Sequence, residues 1–134
     1  MTTGRQRAVT FVDDYGRTWE SWDIPAFVDL FSDEVVYVAH ATQETVVGRA
    51  ALTSYIRKEA AEQGRVSVRM GNPVVDEDRV AAEFWVTATS DGGRDATIVG
   101  CLIAHLEPDG RCHFFREYWF DVDGHTNAYE GWGE

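Results

Sequence analysis

The sequence predicts an α+β domain in which helices come first and a strongly curved antiparallel sheet follows. Apolar residues recur every three or four positions near the N-terminus, which is the period of an amphipathic helix. From Arg65 onward they recur at every second position, which is the period of a strand. Helices that precede a block of strands indicate helices packed on one face of the sheet. With 134 residues and 44% hydrophobic residues, the chain is expected to form a single domain, residues 1–134.

Two helices are predicted before the first strand. The first runs from about residue 3 to residue 22 and places Tyr15 and Trp19 on its apolar side. Asp23 is a candidate N-cap for a short second helix, in which a proline occupies the first turn. The apolar side of this helix is expected to continue to Phe31, and Ser32-Asp33 is expected to end it.

The remaining elements follow from residue type and turn chemistry. Residues 35–41 are β-branched and aromatic, which predicts a strand, and residues 49–63 are helix formers followed by a Gly64 C-cap. Turns at VDED, DGG and PDG separate the later strands. Four successive antiparallel strands are predicted, with the sequences VSVRMGNPVV, RVAAEFWVTATS, DATIVGCLIAHLE and RCHFFREYWFDV.

Composition excludes several classes of partner. A net charge of -11 opposes binding to the phosphates of nucleic acid. No apolar run approaches the roughly 20 residues that a membrane span needs, and the N-terminus lacks a signal-peptide core, so a cytoplasmic protein without a membrane partner is expected. Cys101 and Cys112 are expected to be reduced thiols. The histidines have no metal-ligand spacing, so no metal site is predicted.

Alternation along the late strands sorts their side chains onto two faces. We place the faces that mix aromatic and polar groups under the helices, because that composition is typical of a ligand pocket. They carry Glu83, Trp85, Thr87, Glu117 and Trp119. The opposite face is mainly aliphatic and aromatic and also needs a cover, which predicts a homodimer formed through the outer face of the sheet.

Two segments resemble a known superfamily. The LFSDEVVY…VVGRAALTSYI block at residues 30–56 and EPDGRCHFFREYW at residues 107–119 are similar to SnoaL-like members (polyketide cyclase or ketosteroid isomerase-like) of the nuclear transport factor 2-like superfamily. The resemblance implies a cone-shaped, cystatin-like fold and a pocket that works without a cofactor. This fold hosts isomerases, cyclases, dehydratases, epoxide hydrolases and non-catalytic binders, so it does not by itself define the activity.

The resemblance also implies candidate site residues. Tyr15 falls at the tyrosine position of the steroid isomerases, whereas their base position falls at Ala39 beside His40 and their second acid at Leu102. Ketosteroid isomerisation by that set of groups is therefore not expected. The SnoaL-type cyclases have an acidic residue on the late strands, which Glu117, or less favourably Asp121, resembles.

Two hypotheses follow for function. In the first, the pocket carries out cofactor-independent proton transfer of the cyclase, isomerase or dehydratase type on an apolar, carbonyl-bearing metabolite. Its candidate catalytic residues are Glu117, Glu83, Tyr15, Tyr37 and His40, and its candidate substrate-binding residues are Trp85, Trp119, Thr87, Leu102 and Phe115. In the second, the protein is a non-catalytic ligand binder or dimeric scaffold, whose glutamates are structural partners of an arginine such as Arg49 or of an indole. The C-terminal YEGWGE segment either folds across the mouth of the cone or frays.

Overall fold

The computed structural model describes residues 3–43 and 45–134. Three helices and seven strands lie within this part of the chain. In chain order they are α1 Gly4–Ser21, α2 Ile24–Val28, β1 Phe31–Val38, β2 Val46–Val47, α3 Arg49–Gln63, β3 Arg65–Met70, β4 Val74–Asp76, β5 Arg79–Thr89, β6 Asp95–Leu106 and β7 Cys112–Asp123. None of these three helices combines the length and the apolar character needed to cross a bilayer.

Local sequence signals define the ends of the first two helices. A capping box begins α1, because the Thr3 hydroxyl accepts from the Gln6 backbone N–H at 3.0 Å and the Gln6 side chain accepts from the Thr3 N–H at 2.8 Å. The helix ends at Trp22, which adopts the left-handed conformation with a φ of 51°. Asp23 caps α2 by accepting from the Ala26 N–H at 3.2 Å.

One curved, open sheet holds all seven strands and confirms the predicted α+β fold. Its order is β2-β1-β7-β6-β5-β3, and β4 pairs with the start of β5. The pairs β3–β5, β5–β6 and β6–β7 are antiparallel, as predicted, whereas β1 joins β7 in parallel. The single predicted strand VSVRMGNPVV is divided into β3 and β4, which pair with opposite ends of β5. The β1–β7 pair brings an early strand beside the last one and places the two halves of the chain around a common core.

The three helices cover one face of the sheet, which we call the inner face. Aromatic side chains fill the space between them, with Phe31 in the middle of the cluster. Its ring lies within 5.8 Å of four others, centroid to centroid, and those rings belong to Phe11, Phe27, Tyr37 and Phe115. Edge-to-face and tilted pairs of this kind are favourable beyond the area that they bury, so this cluster fixes α1 and α2 against β1 and β7.

Two predicted boundaries of the early elements are wrong. Helix α2 ends at Val28, and Phe31 already belongs to β1, where it pairs with Cys112. The Arg49 guanidinium also donates to the Phe31 carbonyl oxygen at 2.8 and 2.6 Å, which holds that residue outside the helix. The same strand ends at Val38 rather than at residue 41. Apolar runs this short do not distinguish a buried helical turn from a buried strand.

The C-terminal residues 124–134 lie on the outer face, opposite the helices. The Trp85 indole donates to the Thr126 carbonyl oxygen at 2.8 Å, and its ring packs edge-on against Trp132 at 5.9 Å. Trp132 is buried, with the Arg69 guanidinium 4.9 Å from its ring centroid. The sequence analysis expected this segment either to cross the mouth of the cone or to fray, and both alternatives are wrong. The segment covers the β3–β5 half of the outer face and leaves the mouth of the cone open.

The prediction that Glu83, Trp85 and Thr87 lie under the helices is wrong, because their face of β5 is the one that the C-terminal residues cover. Glu83 pairs with Cys101, which pairs with Tyr118, whereas Glu117 pairs with Leu102. Glu83 therefore shares a face with Tyr118 and not with Glu117. The inner face of β5 is the aliphatic one, formed by Val80, Ala82, Phe84, Val86 and Ala88, all of which are buried.

Candidate functional site

A cavity opens between the helices and the inner face of the sheet. The cavity is narrow, with a volume of about 50 Å³. When all the atom-free space up to and including its mouth is counted, the volume is about 480 Å³. Eight of its lining side chains are aromatic and two are carboxylic. The lining residues are Tyr15, Trp19, Trp22, Phe27, Tyr37, Tyr55, Ile56, Glu59, Gln63, Phe84, Ile98, Glu117 and Trp119.

Glu117 lies in the apolar interior of this cavity. Its place on β7 turns its side chain inward, and it is 9% exposed. The Tyr15 hydroxyl donates to Glu117 Oε2 at 2.9 Å. None of the residues described by the structure forms an ion pair with it, and Arg49 instead binds Phe31, Asp29 and Asp33. A buried carboxyl group without a cation is unusual, because burial strongly disfavours its charged form.

The protonation state of Glu117 follows from these surroundings. Burial raises the pKa of the Glu117 carboxyl to about 8, the Tyr15 hydrogen bond opposes this rise, and the charge of Glu59 adds to it. The carboxyl group is therefore mostly protonated at neutral pH. Because Oε2 accepts the hydrogen bond from Tyr15, the acidic proton belongs on Oε1.

Two buried tyrosines, Tyr15 and Tyr37, line the cavity beside this carboxyl group. Tyr37 stacks on Phe115, with ring centroids 4.6 Å apart and an angle of 15° between the planes. Burial raises the pKa of both Tyr15 and Tyr37, so both remain hydroxyl donors. Tyr15 also packs against Phe115, with ring centroids 5.4 Å apart, so Phe115 holds both tyrosines in place beside Glu117.

A second carboxyl group, which the sequence analysis missed, lies at the rim. Glu59 is on α3, where it accepts from the Gln63 side-chain amide at 3.0 Å. Gln63 in turn accepts from the Trp19 indole at 2.9 Å, and burial together with the charge of Glu59 raises the pKa of Tyr55. Residues 55, 59 and 63 recur every four positions and therefore lie on one side of the helix. That spacing beside the buried Ile56 was the signal available in the sequence.

The structure brings together four of the predicted site residues, and places two more close behind them. Tyr15, Tyr37, Glu117 and Trp119 all line the cavity. Leu102 and Phe115 are fully buried on the same inner face, where Leu102 pairs with Glu117 and Phe115 packs against the two tyrosines.

The other predicted residues lie elsewhere. His40 is outside the lining and packs its ring 4.7 Å from that of Trp119, whose indole donates to the Ala39 carbonyl oxygen. Glu83, Trp85 and Thr87 are on the outer face of β5, and the C-terminal residues contact Trp85 there. Their position on the opposite side of the sheet separates them from Glu117. Within residues 3–43 and 45–134, no group of acidic, histidine and cysteine side chains is arranged to hold a metal ion.

We expect Tyr15→Phe to raise the pKa of Glu117 above about 8, because it removes the hydrogen bond that opposes the effect of burial. The free energy of unfolding should fall by about 1–3 kcal/mol, since a buried acceptor loses its donor. Carbon-13 NMR titration of the glutamate carboxyl groups and urea unfolding measure the two quantities. Tyr129→Phe, at an exposed tyrosine, is the control. An unchanged or lower Glu117 pKa in Tyr15→Phe would contradict this assignment.

Comparison with known proteins supports the fold. SalBIII, an epoxide hydrolase/cyclase-like enzyme in pyran ring formation of the polyether salinomycin, is 21% identical, with a TM-score of 0.76 over 86% of this chain and 92% of that one. RV0760c from Mycobacterium tuberculosis, in complex with estradiol-17beta-hemisuccinate, is 17% identical, with a TM-score of 0.74 over 87% and 98%. A computationally designed 17-OHP binder is 18% identical, with a TM-score of 0.76 over 88% and 98%.

These identities establish a common fold and leave the activity open. The sequence has no significant match among proteins of curated function. A family description, the SnoaL-like domain, matches residues 12–113, which include α3 and strands β1 to β6 and reach the start of β7. This match confirms the resemblance seen in the sequence, and the chain belongs to the SnoaL-like domain family.

Proposed function

We propose that this protein is a small-molecule enzyme that moves a proton within an apolar, carbonyl-bearing metabolite, by chemistry of the cyclase, isomerase or dehydratase type. One observation carries the proposal. Glu117 is a buried carboxyl group that faces a cavity, has no cationic partner among the described residues, and is mostly protonated at neutral pH. A group whose pKa lies near the working pH is suited to both giving and taking a proton.

The proposed step begins with Glu117 as the acid. Its Oε1 proton passes to the carbonyl oxygen of the substrate, which leaves a carboxylate on Glu117. The Tyr15 hydroxyl, already 2.9 Å from Oε2, stabilises that negative charge. Because the carboxylate is buried, it readily takes a proton back from another atom of the substrate. The carboxyl group ends the cycle in its starting state, so the reaction that we propose uses no cofactor.

The aromatic lining of the site supports a ring-shaped or polycyclic substrate. Trp19, Phe27 and Trp119 present flat apolar surfaces around the carboxyl group. Proteins of the same fold include a cyclase-like enzyme of polyether formation and a protein in complex with a steroid ester. These relatives support a small-molecule ligand for this chain, and the position of Glu117 supports catalysis on it.

The experiment that tests the proposal is solvent deuterium exchange. The protein is incubated in deuterated buffer with a panel of neutral polycyclic ketones, and mass spectrometry follows deuterium incorporation next to the carbonyl group. We expect at least one ketone to exchange faster than it does in buffer alone. Exchange at the buffer rate for every ketone that binds would refute the enzymatic function and leave a binding protein.

A non-catalytic ligand binder is the second candidate, and the computationally designed 17-OHP binder of the same fold supports it. In either function a polycyclic ligand must move side chains to enter, since the cavity volume is about 50 Å³. A binder of this kind would show saturable changes in tryptophan fluorescence with a ketone and no exchange. The same panel of ketones therefore separates the two functions.

We also propose that the protein is a homodimer. The C-terminal residues cover the β3–β5 half of the outer face, whereas Tyr118, Phe120 and Val122 of β7 remain 50%, 59% and 43% exposed. These residues alternate along one strand and form an apolar strip, which suits a symmetric contact with the same strip of a second copy.

Phe120→Glu is expected to convert the dimer into a monomer, because the twofold contact would bring two carboxylates together in an apolar interface. We expect the dissociation constant to rise by more than about a hundredfold. Analytical ultracentrifugation over a range of protein concentrations measures it. Val74→Glu, at an exposed valine on β4, is the matched control and should leave the mass unchanged. A monomeric wild-type protein would refute the proposed dimer.

A further inference from the structure

We propose that the ligand of this cavity carries an alkylammonium group, and that Glu59 and the aromatic walls at the rim bind that group. The inference rests on the proposed function for the location of the site, and it specifies the chemical class of the ligand. Three features of the lining carry it: its charge, the orientation of its hydrogen-bond donors, and the way in which Glu59 is held.

The first feature is the sign of the charge. Glu59 and Glu117 line the cavity, and no lysine, arginine or histidine is among its described lining residues. The whole chain carries a net charge of -11, which adds to the negative potential of a cleft with apolar walls. Such a site attracts a cation and repels a carboxylate or phosphate.

The second feature is that the indole donors of the lining are already used. Trp19 donates to Gln63 at 2.9 Å, Trp22 donates to the Gly64 carbonyl oxygen at 2.7 Å, and Trp119 donates to the Ala39 carbonyl oxygen at 2.8 Å. Their N–H groups therefore have protein partners, so these rings offer a ligand no free indole donor and contribute aromatic surface to the lining. Aromatic faces attract ammonium groups, most strongly where water is excluded.

The third feature is the placement of Glu59. The Gln63 side-chain amide donates to its carboxyl group at 3.0 Å, which fixes the group at the rim of the cavity. Glu59 is only partly buried, whereas Glu117 is 9% exposed. A carboxylate has about four acceptor positions, so the bond from Gln63 leaves most of its negative charge available to a cationic ligand.

Together these features suggest a division of the cavity into two regions. The deep region holds Glu117 and the two tyrosines, which suit a carbonyl oxygen. The rim holds the partly buried Glu59, Trp22 and Tyr55, which suit a positively charged nitrogen with alkyl substituents. A substrate with both groups would be oriented by the rim, and its carbonyl group would point towards Glu117.

The test compares two probes that differ only in charge. Choline and 3,3-dimethylbutan-1-ol have the same shape, with a quaternary nitrogen in the first and a carbon atom in the second. Chemical-shift titration of the tryptophan indole signals gives their dissociation constants for the full chain. We expect choline to bind at least tenfold more tightly. Equal affinities, tighter binding of the neutral alcohol, or no binding of choline would overturn the inference.

A variant identifies the responsible carboxyl group. Glu59→Gln keeps the shape of the side chain and should reduce the preference for choline by about tenfold, which corresponds to about 1.4 kcal/mol. Glu62→Gln, on an exposed part of the same helix, should leave the preference unchanged. An unchanged preference in Glu59→Gln would overturn the assignment to Glu59.

The result is independent of the exchange experiment, because that experiment uses neutral ketones. Preferential binding of choline without exchange on any ketone would refute the enzymatic function and support the ammonium site. Exchange on neutral ketones without a preference for choline would support the enzymatic function and refute the ammonium site.

Discussion

Glu117→Gln is expected to stay stable between about pH 4.5 and pH 8, an interval in which the wild-type protein loses stability as its Glu117 ionises. Burial raises the pKa of Glu117 from 4.5 to about 8 in the folded state. Between these two values the folded protein holds a proton that the unfolded chain has released. The free energy of unfolding therefore falls as the pH rises through this interval, and the fall is complete once the pH exceeds the folded pKa.

The size of the effect follows from the shift of the pKa. At 1.36 kcal/mol for each pKa unit, a rise from 4.5 to about 8 corresponds to a loss on the order of 5 kcal/mol. Glutamine has nearly the same shape and no charge to bury, so the variant lacks this term. The stability difference between Glu117→Gln and the wild-type protein should thus grow in favour of the variant as the pH rises.

Urea unfolding of both proteins at intervals from pH 4.5 to pH 9 measures this difference. Other carboxyl groups titrate in both proteins, and their contributions cancel when the curves are subtracted. Glu83→Gln is the control, because Glu83 is exposed on the outer face and should not change the shape of the pH profile. A constant difference between Glu117→Gln and wild type across this range would show that Glu117 titrates normally.

Several parts of the fold were predictable because local and tertiary preferences agree. The helical period of residues 4–21 and the capping residues Thr3 and Asp23 lead to the observed α1 and α2. Strand alternation together with turn residues predicted the antiparallel pairs β5–β6 and β6–β7. The inward orientation of Glu117 was predicted from the composition of its face, where Phe115 and Trp119 place aromatic rings beside a polar group.

The face of β5 was not predictable from its own composition. Trp85 and Thr87 look like pocket residues, but the tail from Gly124 onward covers their face, and a tryptophan indole there is satisfied by the Thr126 carbonyl oxygen. Alternation assigns residues to two faces without saying which face the helices cover. The partner segment is about 40 residues away in the sequence, which exceeds the range of any local pattern.

The rim of the site escaped prediction for a related reason. Glu59 lies in a helix rich in charged residues, where a glutamate is typically solvated. Only the docking of α3 against Trp19, whose indole donates to Gln63 of that helix, brings the Glu59 carboxyl group to the cavity. Predicting that contact requires the packing angle between helix and sheet, which short-range sequence patterns do not contain.

Glu117→Gln should also abolish the proposed exchange of deuterium into a bound ketone. Glutamine can donate a hydrogen bond to the carbonyl oxygen, but it cannot give up a proton and take it back. Losing a positioned general acid of this kind typically lowers the rate by about 10²- to 10⁴-fold. The affinity for the ketone, measured by tryptophan fluorescence, should change little, because the aromatic walls remain. The loss would then appear in kcat rather than in KM.

The pH dependence distinguishes this role from a structural one. If Glu117 acts as the acid, kcat for exchange should decrease as the pH rises through about 8, in parallel with the ionisation of its carboxyl group. Tyr15→Phe should move that decrease to higher pH, whereas Glu83→Gln should leave it in place. A rate that is unaffected by Glu117→Gln, or a decrease that Tyr15→Phe does not shift, would contradict catalysis by Glu117. Such a result would assign Glu117 to ligand binding alone. Burial raises its pKa equally in a catalytic and in a binding role, so the pKa shift by itself does not distinguish them.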